Sequence, residues 1–306
     1  MSLLDILIPL YLLITLGYIL KKYDFPNKYF WSGIERMTYF VLFPTLIFVA
    51  LLKAQINLVL LAQVLVVVTL PAIISGLLQW LGFLSAKLQK ATFTSMFQGA
   101  VRNNTMVSLV IAAWLVPANG LAIMAIIILI MVPFNNFSSI SVLLRYGNPA
   151  ESNVSEKLWI GIIKNPLIIA CLLGLVLNIL DIKLAKPLVN TADFLGRSAL
   201  PFALLAVGAG LKFGSIFEKK LAIVLSSFAK LILTPLLSWG LCIALGVDSD
   251  LGRVAIIFSA MPTAVSSFIL AKQMGGDADA MAQIVTLQTI LAALTIPFFL
   301  FVAQHY

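Results

Sequence analysis

ATFTSMFQGAVRNNTMVSLVIAAWLV, residues 91–116, is long enough to cross a bilayer as a helix, yet its centre carries Gln98, Arg102, Asn103, Asn104 and Thr105. Arg102 is twelfth of the 26 residues, which at 1.5 Å per residue places it about 17 Å from one end, near mid-membrane. Every unsatisfied polar group in hydrocarbon costs several kcal/mol. Such a stretch persists only where protein or a water-filled cavity shields it, which makes it the first candidate for a transport site.

The surrounding chain is the kind that needs a membrane. It has 306 residues, 61% of them hydrophobic and 10% charged, with a mean hydropathy of +1.08, against about 45–50% apolar residues in soluble domains. The expectation is an all-α integral membrane protein whose first partner is the lipid bilayer. The net charge of +8 is dealt out among short loops without a cluster, so it speaks for membrane orientation and against a nucleic-acid partner. Cys171 and Cys242 lie in apolar segments and the single histidine, His305, is next to last; neither a disulfide framework nor a histidine metal site is available. The first apolar run lacks a basic leader and has Lys21 and Lys22 behind it, which reads as a retained span.

Ten apolar runs fit a hydrocarbon core of about 30 Å: Leu3 to Leu20, Trp31 to Leu52, Val59 to Leu84, Ala91 to Val116, Leu121 to Leu144, Leu158 to Leu180, Phe194 to Leu211, Leu221 to Leu245, Val254 to Gln273 and Met281 to Val302. The longest linker, Arg145 to Lys157, is too short to be a domain. The odd-numbered linkers carry eleven Lys and Arg residues and the opposite side four. Both termini are therefore expected on the non-cytoplasmic side of the plasma membrane.

Internal symmetry is the more informative pattern. Pro9, Gly17 and Pro44 recur as Pro166, Gly174 and Pro201 at an offset of 157, and Pro71, Gly76 and Gly82 recur as Pro235, Gly240 and Gly246 at 164. The matches pair segment one with six, two with seven and three with eight. Residues 1–144 and 158–306 then form two five-helix repeats, and an odd number of spans inverts the second relative to the first. The second offset sets Gln98 opposite Pro262, and Arg102 and Asn103 opposite Ser266 and Ser267. Segment nine, VAIIFSAMPTAVSSFILAKQ, is the other long run with a polar, proline-containing interruption. Two broken helices, four and nine, are expected to meet near the midplane.

An arginine at that depth needs a partner. Arg102 neutralises an anionic substrate, helped by half-helix N-termini, or it caps carbonyls of a broken helix or pairs with a carboxylate from another span; the two roles are compatible. Asn103, Asn104, Thr105, Ser259, Thr263, Ser266 and Ser267 can bind substrate or re-satisfy backbone groups freed by unwinding. Asn135 and Asn136, after Pro133, are candidates to line the same cavity. Gln98, Gln273, Gln288 and Thr289 suit interhelical hydrogen bonds. Lys230, tenth of 25 in segment eight, reads as a cation snorkelling to the interface or as a second charge in the cavity. Asp193 and Arg197 form an i,i+4 pair worth a few tenths of a kcal/mol. None of the twelve carboxylates lies mid-span, which favours small anions over cations and hides any carboxylate proton relay. No catalytic motif appears, so an enzyme is not expected. No cofactor is expected; a coupling ion, proton or sodium, is open, since sodium can be held by neutral oxygens.

Several motifs together resemble the auxin efflux carrier family in its compact prokaryotic form, over nearly the whole chain: Phe43-Pro44, Arg102-x-Asn104, VPFNNFSSISVL from Val132, KNPLIIACLLGL from Lys164, LPFALLAVGAGL from Leu200 and MPTAVSSFILAKQMGGD from Met261. The resemblance implies a ten-helix fold of two inverted five-helix repeats, similar to the bile acid:sodium symporter fold, with helices four and nine broken where they cross. It also implies a carrier of organic anions: dicarboxylates such as malonate or malate in bacterial members, auxin in plant ones. Asn103, Asn104 and Pro262 match the crossover positions. The chain departs from the plant carriers in lacking a proline at the break of segment four and in lacking their long loop.

The leading expectation is a secondary transporter moving a small mono- or dicarboxylate, or an auxin-like acid, by alternating access. The alternatives are a sodium-coupled symporter of a larger amphipathic anion and a non-transporting membrane receptor. A homodimer is open; Gly208 and Gly210 in segment seven would permit close helix packing.

Overall fold

The computed structural model describes residues 3–54, 58–86, 88–147, 164–210 and 219–306. These are helical throughout, joined by short turns. In chain order the helices are α1 (Leu3–Lys22), α2 (Lys28–Met37), α3 (Phe43–Leu52), α4 (Leu58–Val64), α5 (Leu70–Ala86), α6 (Lys90–Val101), α7 (Thr105–Leu115) and α8 (Gly120–Tyr146). They continue as α9 (Pro166–Ile179), α10 (Lys186–Arg197), α11 (Ala199–Ala209), α12 (Lys220–Phe228), α13 (Thr234–Ala244), α14 (Ser249–Ala260), α15 (Ser266–Gln273) and α16 (Ala278–Gln304).

Six stretches among the described residues are long and apolar enough to span a membrane: Tyr29–Leu52, Val59–Ala86, Gly120–Tyr146, Lys186–Ala209, Lys220–Ala244 and Ala278–Gln304. Leu12, Leu77, Leu172, Phe194 and Leu294 lie exposed on the helices' outer faces; so much outward apolar surface suits lipid, not water. The protein is thus an all-α, multi-pass membrane protein.

Segments four and nine are each split into two half-helices, as their polar interruptions led one to expect. Segment seven begins earlier, at Lys186, because KPLVNTADFLGR is an amphipathic helix with Pro187 in its first turn, and Arg197 Nε donates to Asp193 Oδ2 at 2.7 Å. Of segment six only Pro166–Ile179 is described. Its start at Leu158, most of the preceding linker, and Lys87, Lys157 and Lys212 lie outside the described residues.

Three helices widen into a single π-turn just before a proline: Thr38–Leu42 ahead of Pro44, Leu65–Thr69 ahead of Pro71, and Ala229–Leu233 ahead of Pro235. Proline has no N–H and its ring crowds the carbonyl four residues back, and a wider turn relieves that crowding. At the third turn the Thr234 hydroxyl donates to the Ala229 carbonyl at 2.7 Å and lies 2.7 Å from the hydroxyl of Ser75 on α5.

The chain divides into two compact units. The first comprises Met1–Leu61, Met106–Leu129 and Ile163–Leu211. In it α1 packs on α11, and a Cβ on Gly17 or Gly208 would overlap the carbonyl oxygen of Leu205 or Ile14 respectively; Gly208 is thus used for packing within the chain. Asn165 starts α9 by accepting from the Leu167 and Ile168 amides at 2.9 and 3.4 Å and donating to the Tyr39 hydroxyl at 3.0 Å. The second unit comprises Ala62–Thr105, Ile130–Ile162 and Lys212–Tyr306. Its core surrounds α6, which packs on α5, α12 and α16, and α14, which packs on α13 and α16.

Candidate functional site

The site lies in the second unit, where two helices stop. Helix α6 ends because Arg102 turns to extended backbone, with φ −75° and ψ 143°. Helix α14 ends the same way at Met261, with φ −68° and ψ 140°, as expected of a residue preceding a proline. No proline enforces the first break; side chains and the facing backbone hold it. Asn103 Nδ2 donates to the Phe258 carbonyl at 2.7 Å, and the Asn104 amide donates to the Pro262 carbonyl at 2.8 Å. The Thr263 hydroxyl donates to the Gln98 carbonyl at 3.3 Å. Gln288 of α16 joins both breaks, accepting from the Thr263 amide and donating to the Gly99 carbonyl, each at 2.9 Å. Groups freed by unwinding on one strand are thus satisfied by the other, as a water-free interior requires.

Arg102 stands at the lip of the first break, half-buried. Its guanidinium donates to Asn136 Oδ1 at 3.0 Å and to Ser266 Oγ at 3.4 Å. Both of these acceptors are neutral, and together they aim the guanidinium. Helix α7 starts at Thr105 and α15 at Ser266, directly after the breaks; the Ser266 hydroxyl meets the Arg102 guanidinium, and the N-terminal dipole of α15 favours negative charge there.

Of the remaining predicted residues, Asn103, Asn104, Asn135, Thr263 and Ser267 are buried, and Ser266 is exposed. Both amide atoms of Gln98, the Ser267 hydroxyl and Asn135 Oδ1 are buried without a hydrogen-bond partner among the described residues. Gln98 therefore does not make the side-chain bond expected of it, whereas Gln288 does. Asn103 and Thr263 serve the backbone of the breaks, the second of the two uses open to them.

Two expectations change. The glycine and proline spacing set Arg102 against Ser266, but α6 and α14 are both 12 residues long; matched by their ends, Arg102 faces Met261 in the alignment and Asn103 faces Pro262, a slip of five. The cause is that α13 has 11 residues against 17 in α5, six fewer, while the connection that follows it is one residue longer. Lys230 does not snorkel: it is fully buried and its ammonium has no hydrogen-bond partner among the described residues.

No motif pointed to the cluster that anchors the start of α6. Asp277, capping α16, accepts from the Ala280 amide at 3.0 Å and from the Thr92 hydroxyl at 2.7 Å, and it pairs with Lys219. The Asp277 carbonyl accepts from the Ser95 hydroxyl at 2.7 Å. Burial alone would raise the carboxyl's pKa, but hydrogen bonds from Lys219, the Ala280 amide and Thr92, together with the Lys219 charge, outweigh it and hold Asp277 below its usual range. A carboxyl lowered on folding stabilises above its unfolded value, about pH 4, and that contribution vanishes as pH falls through the lower folded value. Lys219 is 35% exposed, so solvent screens its share. Asp277→Asn is expected to cost about 2 kcal/mol at pH 7 and to weaken acid sensitivity below pH 4, read by thermal melting in detergent; equal melting curves at both pH values would refute it.

Beside the breaks, a groove of about 440 Å³ runs between α5, α6 and α8. Its walls are apolar, with Trp80, Phe93, Phe97 and Phe134, and Arg145 stands at its rim.

An all-helical, multi-pass protein organised around two interrupted helices belongs by class with the membrane transporters. Residues 141–300 match the family described as membrane transport protein, and the chain belongs to that family, the one that includes the auxin efflux carriers. It is 24% identical over 289 residues to an "Uncharacterized transporter" of Methanothermobacter thermautotrophicus, an alignment covering 93% of both chains. It is 27% identical over 134 residues to a "Putative malonate transporter" of Rhizobium meliloti, covering 43% of this chain and 42% of that one.

Proposed function

We propose that this protein is a secondary transporter that carries a small organic anion, a mono- or dicarboxylate such as malonate or malate, across the plasma membrane by alternating access. The observation that carries the reading is Arg102: a guanidinium at a helix break that donates to Asn136 and Ser266, with helix α15 beginning beside it. The malonate carrier among the relatives supports the same substrate class. Candidate substrate contacts are Arg102, Asn136, Ser266, Thr105 and the unpartnered polar atoms of Gln98, Ser267 and Asn135. Asn103, Asn104, Pro262 and Thr263 hold the breaks open.

The inverted ten-helix plan belongs to this proposal. It is supported by Tyr29–Leu52 and Lys186–Ala209 sharing an offset of 157 at both ends. The π-turns Leu65–Thr69 and Ala229–Leu233 likewise share 164, and the 27-residue helices α8 and α16 share 158. Both termini face outward in this plan, from the bias of Lys and Arg between linkers.

The test is uptake of labelled malonate, malate and indole-3-acetate by purified protein in liposomes under imposed proton, sodium and voltage gradients. Saturable uptake of a carboxylate is expected; binding without uptake would make the protein a receptor. The apolar groove beside the breaks favours one second reading, a carrier of a larger amphipathic anion. Sodium-dependent uptake of a bulky aryl or steroidal acid in preference to malonate would select it.

A further inference from the structure

Lys230 sits on the π-turn Ala229–Leu233, which packs against α5, α6, α12, α13, α14 and α16. Its height follows from neighbours on either side. Lys219, Thr92 and Ser95 all meet at Asp277, so the start of α12 is level with the start of α6. Farther along, a Cβ on Gly99 would lie 3.3 Å from Ser226, so the two helices are still in step. One turn beyond Gly99 is Asn103 and one turn beyond Ser226 is Lys230. The lysine is therefore level with the helix breaks.

The charged and titratable groups on the surrounding elements are Lys90 and Arg102 on α6, Lys220 on α12, Cys242 on α13, Asp250 and Arg253 on α14, and Asp279 on α16; α5 has none. Lys90, Lys220, Asp250 and Asp279 sit in the first turns of their helices and Arg253 at the start of the second turn of α14, away from the breaks, and Cys242 lies near the far end of α13. Among the described residues of these elements Arg102 alone shares the level of Lys230, and it is a cation too. A buried ammonium with no counter-charge is a costly arrangement, one that an arriving carboxylate relieves.

We propose that Lys230 is the proton-binding group that couples anion movement to proton movement, its ammonium being formed when a carboxylate occupies the breaks and discharged when the carboxylate leaves. The step is a simple exchange. With the site empty and open to water, one N–H bond breaks, its electron pair stays on nitrogen and the proton passes to water. When the anion enters, the amine takes one proton back. Because binding linkage is reciprocal, the protonated lysine strengthens anion binding as much as the anion strengthens protonation, and anion and proton cross together. Arg102, which does not deprotonate in proteins, supplies the constant part of the attraction.

This inference rests on the carrier reading, and proteoliposomes separate the two. Uptake of labelled malonate is followed as external pH is varied at a clamped membrane voltage, with an entrapped pH dye reporting proton entry. Wild-type protein is expected to acidify the lumen during uptake and to show a rate that changes up to tenfold per pH unit. In K230M, and in K230R where the charge is locked on, the profile is expected to flatten to less than twofold and the dye signal to disappear, whatever rate remains. K230R retains length and charge and serves if K230M does not fold. Malonate uptake without proton entry in wild type, or with the wild-type pH profile in either folded variant, overturns the proton assignment and leaves the carrier standing. No uptake of any carboxylate by wild type overturns both.

Discussion

Arg102→Ala is expected to weaken malonate binding about 100-fold while the purified protein remains folded. Losing a hydrogen-bonded charge partner in a desolvated site costs about 2–5 kcal/mol, and each 1.4 kcal/mol is tenfold in affinity. The fold should survive because Arg102 is half-buried and donates to the side chains of Asn136 and Ser266, while Asn103, Asn104, Thr263 and Gln288 tie the backbone of the breaks. Arg102→Lys should fall between wild type and alanine, about tenfold weaker, since lysine keeps the charge and loses the planar fork. Calorimetric titration with malonate decides the matter: an alanine variant that binds like wild type would remove Arg102 from the anion site.

Gln288→Leu is expected to have the largest effect on stability. The side chain is fully buried and satisfies one backbone group at each break, the Thr263 amide and the Gly99 carbonyl. Leucine fills similar space and leaves both unpaired, at about 1–3 kcal/mol each, so a loss of about 4 kcal/mol is expected. The neighbouring Thr289 bonds only its own helix, to the Val285 carbonyl at 2.7 Å, so Thr289→Val should be nearly silent. Melting temperatures in detergent that drop equally for Thr289→Val and Gln288→Leu would contradict this account.

Much of the site was legible in the sequence because hydrocarbon penalises polarity so heavily. Arg102, Asn103 and Asn104 in one apolar run, and MPTAVSS in another, had to be breaks or cavity walls, and both helices do stop there. The division of labour was not legible. Asparagine serves equally as ligand or as a donor to a stranded carbonyl, and only the 2.7 Å contact from Asn103 to Phe258 assigns it. The five-residue slip was hidden because prolines and glycines mark where a helix bends, not where it ends. The choice between the two readings of Lys230 was hidden for a related reason: its depth along the segment was countable, but the direction of its side chain depends on a π-turn that leaves no composition signal.

Those widened turns also act on helix phase. A π-turn holds one residue more than an α-turn, so everything beyond it is rotated by about 100° relative to an uninterrupted helix. Beyond Ala229–Leu233, that rotation determines which way Thr234, Ser238 and Cys242, all buried, present themselves to the interior. The turn is equivalent to a single inserted codon. Its deletion would change no hydropathy profile and remove no side chain from the breaks, yet it would re-clock the far half of the helix and turn a buried polar face towards lipid. Variation in this family should therefore be read in insertions and deletions at these three positions as much as in substitutions.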